Sequence, residues 1–519
     1  MNAEPRKSLY LGLANALLLT LALPASASTP TEIAKLLASD ASGGDAFGLV
    51  VAVAGNTAVI GAPSDADAGS SSGSAYVFTR SGTTWTEQAK LTASDAAAGD
   101  EFGSDVAIND DTIVIGALSD SDAGRSSGSV YVFTRSGTTW TEQGKLTASD
   151  AAAGDQFGWS VDVIGNTAVI GAPDDDSGSV YVFTRTGTTW AEQAKLTASD
   201  GDAGDAFGLS LAITGETLLV GAPFDINAGV DNGSVYVFTL TGAAWIEQAK
   251  LMASDAAAGD RFGYDIAVTG DTAVIGAVTD DDAGEDSGSA YVFTRSGATW
   301  TEQAKLTASD ASTGDLFGFS VAINSNMVVI GADLDDEAGS DSGAAYVFMR
   351  IGTMWVEQAK LMASDAEVGD RFGNSVAAVE NTILVGADHT DDAGTASGSV
   401  YVFSLGSDIA VDILPGSDRN KINVRAKGKI PVAILTTKTF DALQVDWETV
   451  RFGPDGGTEA HGRSHISDVD GDGDMDLLLH FKTRETGIQC GDRTATLTGE
   501  TFAGEVVVAT GSIRTVGCN

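Results

Sequence analysis

Residues 96–149 read AAAGDEFGSDVAINDDTIVIGALSDSDAGRSSGSVYVFTRSGTTWTEQGKLTAS, and nearly the same words recur on either side. The Phe-Gly pair that marks each copy falls at Phe47, Phe102, Phe157, Phe207, Phe262, Phe317 and Phe372, a period of 55 residues broken by one copy of 50. A repeat of that length with several strand signals and no helical period denotes a propeller or a solenoid. Each copy holds four apolar runs, in this one FGSDVAI, TIVIGAL, SVYVFTR and TWTEQGKLTA, separated by clusters of Gly, Asn, Asp and Ser. Such runs joined by tight turns read as an antiparallel meander. The run YVF is apolar at consecutive positions, which suits a strand covered on both faces. Blades stacked face to face around an axis supply that double cover. A solenoid needs polar caps, and the first and last copies resemble the middle ones.

Six copies end in a Trp strand, at Trp85, Trp140, Trp190, Trp245, Trp300 and Trp355, but the seventh passes from Tyr401-Val402-Phe403 into unrelated sequence at Leu405. TEIAKLLASD at 31–40 matches TEQAKLTASD at 86–95, so Thr31 to Ser39 is expected to be the outer strand of blade seven, leaving no unpaired edge at the seam. The fold class expected is all-β: a seven-bladed propeller over 28–405, then a small β-sandwich-like domain over 406–519.

The succession of FG, an apolar strand, GAP (Gly61-Ala62-Pro63, Gly171-Ala172-Pro173, Gly221-Ala222-Pro223) and GSxYVF resembles the FG-GAP repeat of integrin alpha subunits and of many bacterial surface proteins. The resemblance covers about residues 31–405 and implies a propeller used for binding, often for adhesion. Members of the family commonly carry a calcium loop between the first two strands. Here those connections, such as Gly55-Asn56-Thr57 and Gly165-Asn166-Thr167, are short enough to be hairpin turns, a departure from that pattern.

Residues 1–27 have the makings of a secretory signal peptide: Arg6 and Lys7, an apolar run from Leu9 to Leu23, then Ala25-Ser26-Ala27. That run is shorter than the ~20 residues a membrane span needs. The expected product is exported: secreted, periplasmic or at the cell surface. The chain carries 29 Lys and Arg against 72 Asp and Glu. Such a charge repels nucleic acid and anionic lipid and favours cations or basic surfaces. The only two cysteines, Cys490 and Cys518, suggest one disulfide in an exported chain.

The seven copies are their own comparison. Positions that repeat unchanged serve the blade, and those that break the pattern are the better functional candidates. Gly-Asp-x-Phe-Gly occurs in every copy, and its Asp is expected to bond the N–H groups of its own turn. After the second strand, six copies carry paired acids or their near equivalents before Ala-Gly: Asp65 and Asp67, Asp120 and Asp122, Asp225 and Asn227, Asp280 and Asp282, Asp335 and Glu337, and Thr390 with Asp392. Strand alternation puts these loops on the same rim as the Ser-Asp connections entering each blade, so one face should hold most of the negative charge. The alternatives are a metal bound in these loops, since alternate carboxylates suit a hard cation, or a solvated acidic rim that meets a ligand. Two residues past each Phe the ring reads Leu49, Ser104, Trp159, Leu209, Tyr264, Phe319 and Asn374. Trp159, Tyr264 and Phe319 are thus candidates for docking a basic group by cation–π attraction, as the similar position does in integrins; ordinary packing at the channel mouth is the alternative. Asp105, Asp162 and Asp265 face the expected channel where other copies carry Ser, Ala or Val.

Past Leu405 the runs IAVDIL, INVRA, IPVAIL, TVRFG, LLLHFK, TATLTG and EVVVATG suggest a small sandwich, which resembles a C-terminal module of bacterial exported proteins. Within it Asp468, Asp470, Asp472, Asp474 and Asp476 alternate around Gly471 and Gly473. Carboxylates at positions one, three, five and nine, with Gly at six and the Asp474 carbonyl at seven, would wrap calcium as EF-hand-like loops do. His461, His465 and His480 lie nearby, but their spacing alone assembles no zinc site, and they read as surface histidines. No Ser-His-Asp set, phosphate loop or paired-cysteine metal site is visible. The expected function is an exported, calcium-binding module that binds an extracellular protein or glycan through a basic contact. The alternative is a secreted polysaccharide-active enzyme using the channel carboxylates.

Overall fold

The computed structural model describes residues 30–518 except 83, 228–229, 406–408, 418–419, 438–439, 455 and 503–505. The signal-peptide reading of residues 1–27 therefore lies outside the described residues. Seven four-stranded antiparallel sheets follow one another along the repeats. In the second blade the strands are Phe102–Asn109, Thr112–Ala117, Ser129–Ser136 and Thr139–Leu146. The second strand is buried on both faces and the outermost strand is the wettest, as stacked blades require.

The ring closes by strand exchange. Blade seven supplies only its three inner strands, and Thr31–Leu36 completes it by pairing antiparallel with Ser399–Ser404, Thr31 opposite Ser404 and Leu36 opposite Val400. The paired segment stops three residues short of the expected Ser39.

Each apolar core lies between blades. Val59, Val77 and Leu91 of blade one pack with Phe102, Ile113, Tyr131 and Trp140 of blade two. The same arrangement crosses the seam, where Leu384 and Val402 meet Phe47, Ile60 and Tyr76. The marker Phe is fully buried and meets its own blade edge to face; Phe102 stands 5.4 Å from Tyr131 and 6.1 Å from Phe133. Glycine is needed where blades touch backbone to backbone: a Cβ on Gly116 would come 2.1 Å from the carbonyl oxygen of Gly158 in the next blade. A second ring binds the perimeter, in which each outer-strand Glu accepts bonds from a Ser N–H and hydroxyl one blade back. Glu142 holds Ser94, and Glu32 holds Ser364 across the seam.

Beyond the ring, one sheet of Val411–Ile413, Lys429–Ile434, His465–Ser467 and Asp476–Lys482 and another of Val445–Phe452, Gly457–Thr458, Thr494–Thr501 and Val506–Ser512 enclose a single core. Phe452 and Phe481 meet there at 5.1 Å. Cys490 and Cys518 are joined, with Cα atoms 5.7 Å apart. No helix among the described residues is long and apolar enough to cross a membrane.

Candidate functional site

The rim acids gather on one face, and the chain supplies a cation of its own for them. In blade one Lys90, from the outer strand, reaches Asp40 at 2.7 Å, Asp65 at 2.7 Å and Asp67 at 2.6 Å. Tyr76 donates its hydroxyl to Asp40 or Asp65, each at 2.8 Å, and its ring lies under the ammonium at 5.2 Å. The same unit recurs with Lys145 on Asp95, Asp120 and Asp122, and with Lys305 on Asp255, Asp280 and Asp282. Blade three keeps Lys195 on Asp150 and Asp175 despite its shortened loop, and blade seven uses Lys35 on Asp365 and Asp392. Burial works against ionisation, but the Lys90 ammonium and the Tyr76 hydroxyl hold Asp40 and Asp65 below the usual carboxylate range. The place the sequence left open to a metal is thus taken by a lysine. Asp65, Asp120 and Asp280 are buried beneath it, while Asp67, Asp122 and Asp282 keep exposed faces. The lysine had a visible signal, since it recurs in all seven copies immediately before the apolar end of TEQAKL. The Gly-Asp-x-Phe-Gly carboxylates turn inward as expected, Asp100 accepting the Ala97 N–H at 2.6 Å.

At the axis on this face lies a cavity of about 600 Å³ lined by Trp159, Tyr264, Phe319, Glu101, Asp105 and Asp265 among others. Tyr264 and Phe319 come together, ring centroids 5.4 Å apart. Trp159 is 37 % exposed, lines the same cavity and makes no ring contact with them among the described residues. The three are therefore an open cradle, with Leu209 of the intervening blade beside them, rather than a closed cage.

Asp105 and Asp265 line the axial cavity, Asp162 lies on the inner strand Val161–Ile164 outside that lining, and each has a structural task. Both oxygens of Asp105 are engaged, by its neighbour Val106 N–H at 2.9 Å and by Val161 N–H of the next blade at 2.6 Å. Asp162 joins Ile213 and Asp265 joins Val321 in the same way. Inner strands leave amides unpaired at the channel, and these carboxylates satisfy them. At the position equivalent to Asp105, Ser160 makes a different link to the next blade, its hydroxyl donating to the Gly208 carbonyl at 2.7 Å alongside Asp162. Enclosure by the channel wall pushes Asp105 up to about 8, against the pull of the Val161 and Val106 amides, and pushes Asp162 and Asp265 up to about 6.

Two further symmetry breaks escaped the sequence reading. Asp333 and Asp388 stand where other blades have Pro63, Leu118, Pro173, Pro223 or Val278. Each is almost fully buried; Oδ1 of Asp333 has no hydrogen-bond partner among the described residues, whereas Oδ1 of Asp388 lies 3.0 Å from Nδ1 of His389. Burial pushes Asp333 up to about 7, with Arg371 opposing and Asp388 adding to the rise, and burial likewise raises Tyr264 in the cavity wall, with Asp333 adding to it.

In the C-terminal domain, carboxylate oxygens of Asp468, Asp470 and Asp476 lie within 4.8 Å of one another. No lysine or arginine pairs with them among the described residues, in contrast to the blades. Gly471 and Gly473 take φ of 82° and 102°, which bends the loop. Asp468 accepts the Gly471 N–H, and Asp476, fully buried, accepts those of Val469 and Thr436. Asp470 accepts the Asp472 N–H, yet desolvation and the charges of Asp472 and Asp476 hold it above the usual range. Asp472 and Asp474 are not brought into the oxygen cluster; Asp472 accepts the Asp474 N–H at 2.9 Å. His461, His465 and His480, spread over twenty residues of sequence, also come together, their ring nitrogens within 4.8 Å.

The model of the FG-GAP repeat matches residues 30–78, 85–133, 140–183, 190–238, 245–293, 300–348 and 355–403. No curated protein matches the chain.

Proposed function

Because the chain belongs to the FG-GAP repeat family, we propose that it is an exported binding module whose propeller mouth receives a basic side chain of an extracellular protein, with calcium held in the Asp468–Asp476 loop. The observation that carries the reading is the mouth itself. Trp159, Tyr264 and Phe319 present aromatic surface around a cavity of about 600 Å³ whose wall also carries Glu101, Asp105 and Asp265. An aromatic face attracts Lys or Arg by cation–π interaction, and the acidic rim around the mouth adds Coulomb attraction. The free faces of Asp67, Asp122 and Asp282 add long-range attraction for a basic partner. Export is supported by the Cys490–Cys518 disulfide and by the leader-like composition of residues 1–27.

Asp468, Asp470 and Asp476 would hold the calcium, which supplies positive charge where three carboxylates otherwise repel. The loop tethers the strand Asp476–Lys482 through Asp476, so ion binding would fasten that sheet rather than take part in recognition.

A polysaccharide-active enzyme is the second reading, favoured by the high position of Asp105 beside the ionisable Asp265. Against it, both oxygens of each carboxylate are tied to backbone amides, leaving neither free to reach a glycosidic oxygen. The test is a protein and glycan array probed with calcium and with chelator, using wild type and the Trp159→Ala/Tyr264→Ala/Phe319→Ala variant. Binding to basic protein ligands that falls at least about tenfold in the variant is expected. Binding indifferent to the variant, or turnover of a glycan, would discard the proposal.

A further inference from the structure

We propose that His461, His465 and His480 form a binding site for a divalent transition metal of the zinc class, separate from the carboxylate loop. The backbone brings the three together. His480 lies in the strand Asp476–Lys482, whose Leu477, Leu479 and Phe481 enter the core, so His480 points to the opposite face with Leu478. His465 opens the adjacent strand directly opposite Leu478, on that same face. The turn carrying His461 is folded over them, because Ala460 N–H donates to the His480 carbonyl at 2.7 Å and Glu459 bridges to Phe481. The ring centroids are 4.7, 5.6 and 5.7 Å apart.

Two observations point to a ligand rather than to ring packing alone. The Nδ1 of His480 is buried with no hydrogen-bond partner among the described residues, a cost unless something else engages the ring. The Glu459 side chain, 2 % exposed, places Oε1 3.4 Å from Nδ1 of His461. Its other oxygen accepts the N–H groups of His461 and Arg463, which fixes the carboxylate in place. A carboxylate behind a histidine selects the tautomer that offers the far nitrogen and raises its basicity, the arrangement that accompanies metal-bound imidazole. Zinc takes imidazole nitrogen at about 2.0–2.1 Å, so a modest contraction of the three rings would close around it. His461 is exposed, which leaves a fourth position open to water or to another ligand.

The experiment is a zinc titration of the metal-stripped full chain in calcium-containing buffer, by calorimetry and by the visible spectrum of the cobalt-substituted protein. The expected result is one zinc per chain and a nitrogen-rich tetrahedral cobalt spectrum. Affinity should fall more than about 100-fold in His465→Ala/His480→Phe and about tenfold in Glu459→Gln. The Phe variant keeps an aromatic ring in place, and an unchanged circular dichroism spectrum would show that the domain still folds. Asp470→Asn should leave zinc binding intact. Absent zinc binding in wild type, undiminished binding in the histidine variant, or loss in Asp470→Asn would each overturn the proposal.

Discussion

Asp105 carries the clearest pH signature. Its carboxyl is pushed to about 8 in the folded protein, whereas an unfolded aspartate titrates near ~4. Its stabilising contribution is therefore complete below the unfolded value, falls as pH rises and is lost through the folded value. Asp105→Asn has no proton to release. Its urea midpoint relative to wild type should climb between about pH 4 and 8, and a difference independent of pH would refute the assignment. Lys145 poses the opposite problem, since removing it leaves Asp95, Asp120 and Asp122 facing one another with the Tyr131 hydroxyl and the Asp122 N–H as their remaining donors. Lys145→Ala should cost ~2 kcal/mol, below the ~3–5 kcal/mol of a fully buried pair because Asp95 and Asp122 are largely exposed and screened. Millimolar calcium should recover part of that loss, as the vacated carboxylates gain a cation; denaturation with and without calcium measures both effects.

The blade is the element whose sequence was easiest to interpret, because its demands repeat. Phe102, Tyr131 and Phe133 had to be apolar for two-sided cover, and Gly116 had to lack a side chain for the next blade to approach. Gly116→Ala should destabilise by about 3 kcal/mol or more, since the clash is with backbone that no rotamer can relieve. Calorimetric melting would check it. Less legible were links between residues in different blades. The Ser94–Glu142 clasp and the Asp105–Val161 latch depend on which strand lies beside which, and 55-residue periodicity leaves that neighbour unspecified. The three histidines were illegible for the same reason: His461 and His480 meet only because a turn folds back over a strand face. The carboxylate loop was readable because its residues are contiguous, although the Asp472 carboxylate stays outside the cluster of Asp468, Asp470 and Asp476. The blade acids were readable as a charge pattern but misleading as open cation sites, because the lysine that fills them comes from the outer strand of the same blade.

For the whole molecule the decisive element is the exchanged strand Thr31–Leu36. Deleting it would expose the edge of Ser399–Ser404 and strip the apolar cover from Val400 and Val402. The expected result is faster hydrogen exchange across blade seven and concentration-dependent association through the bared edge. Exchange confined to the deleted segment, with the ring still monomeric, would show that closure rests on blade packing alone. Chelation is expected to act elsewhere, lowering the melting of the C-terminal sandwich while leaving the ring unchanged, because the blades carry their own ammonium groups.

The seam also orders events during synthesis. Thr31–Leu36 leaves the ribosome before any blade exists, yet its partner Ser399–Ser404 is among the last of the ring to emerge. Six blades can stack in turn as they appear, while the seventh waits on a segment that must be kept free of other edges throughout. Completion is thus a ring-wide event, and a chain halted before its last blade would carry an unlatched circle with two adhesive ends.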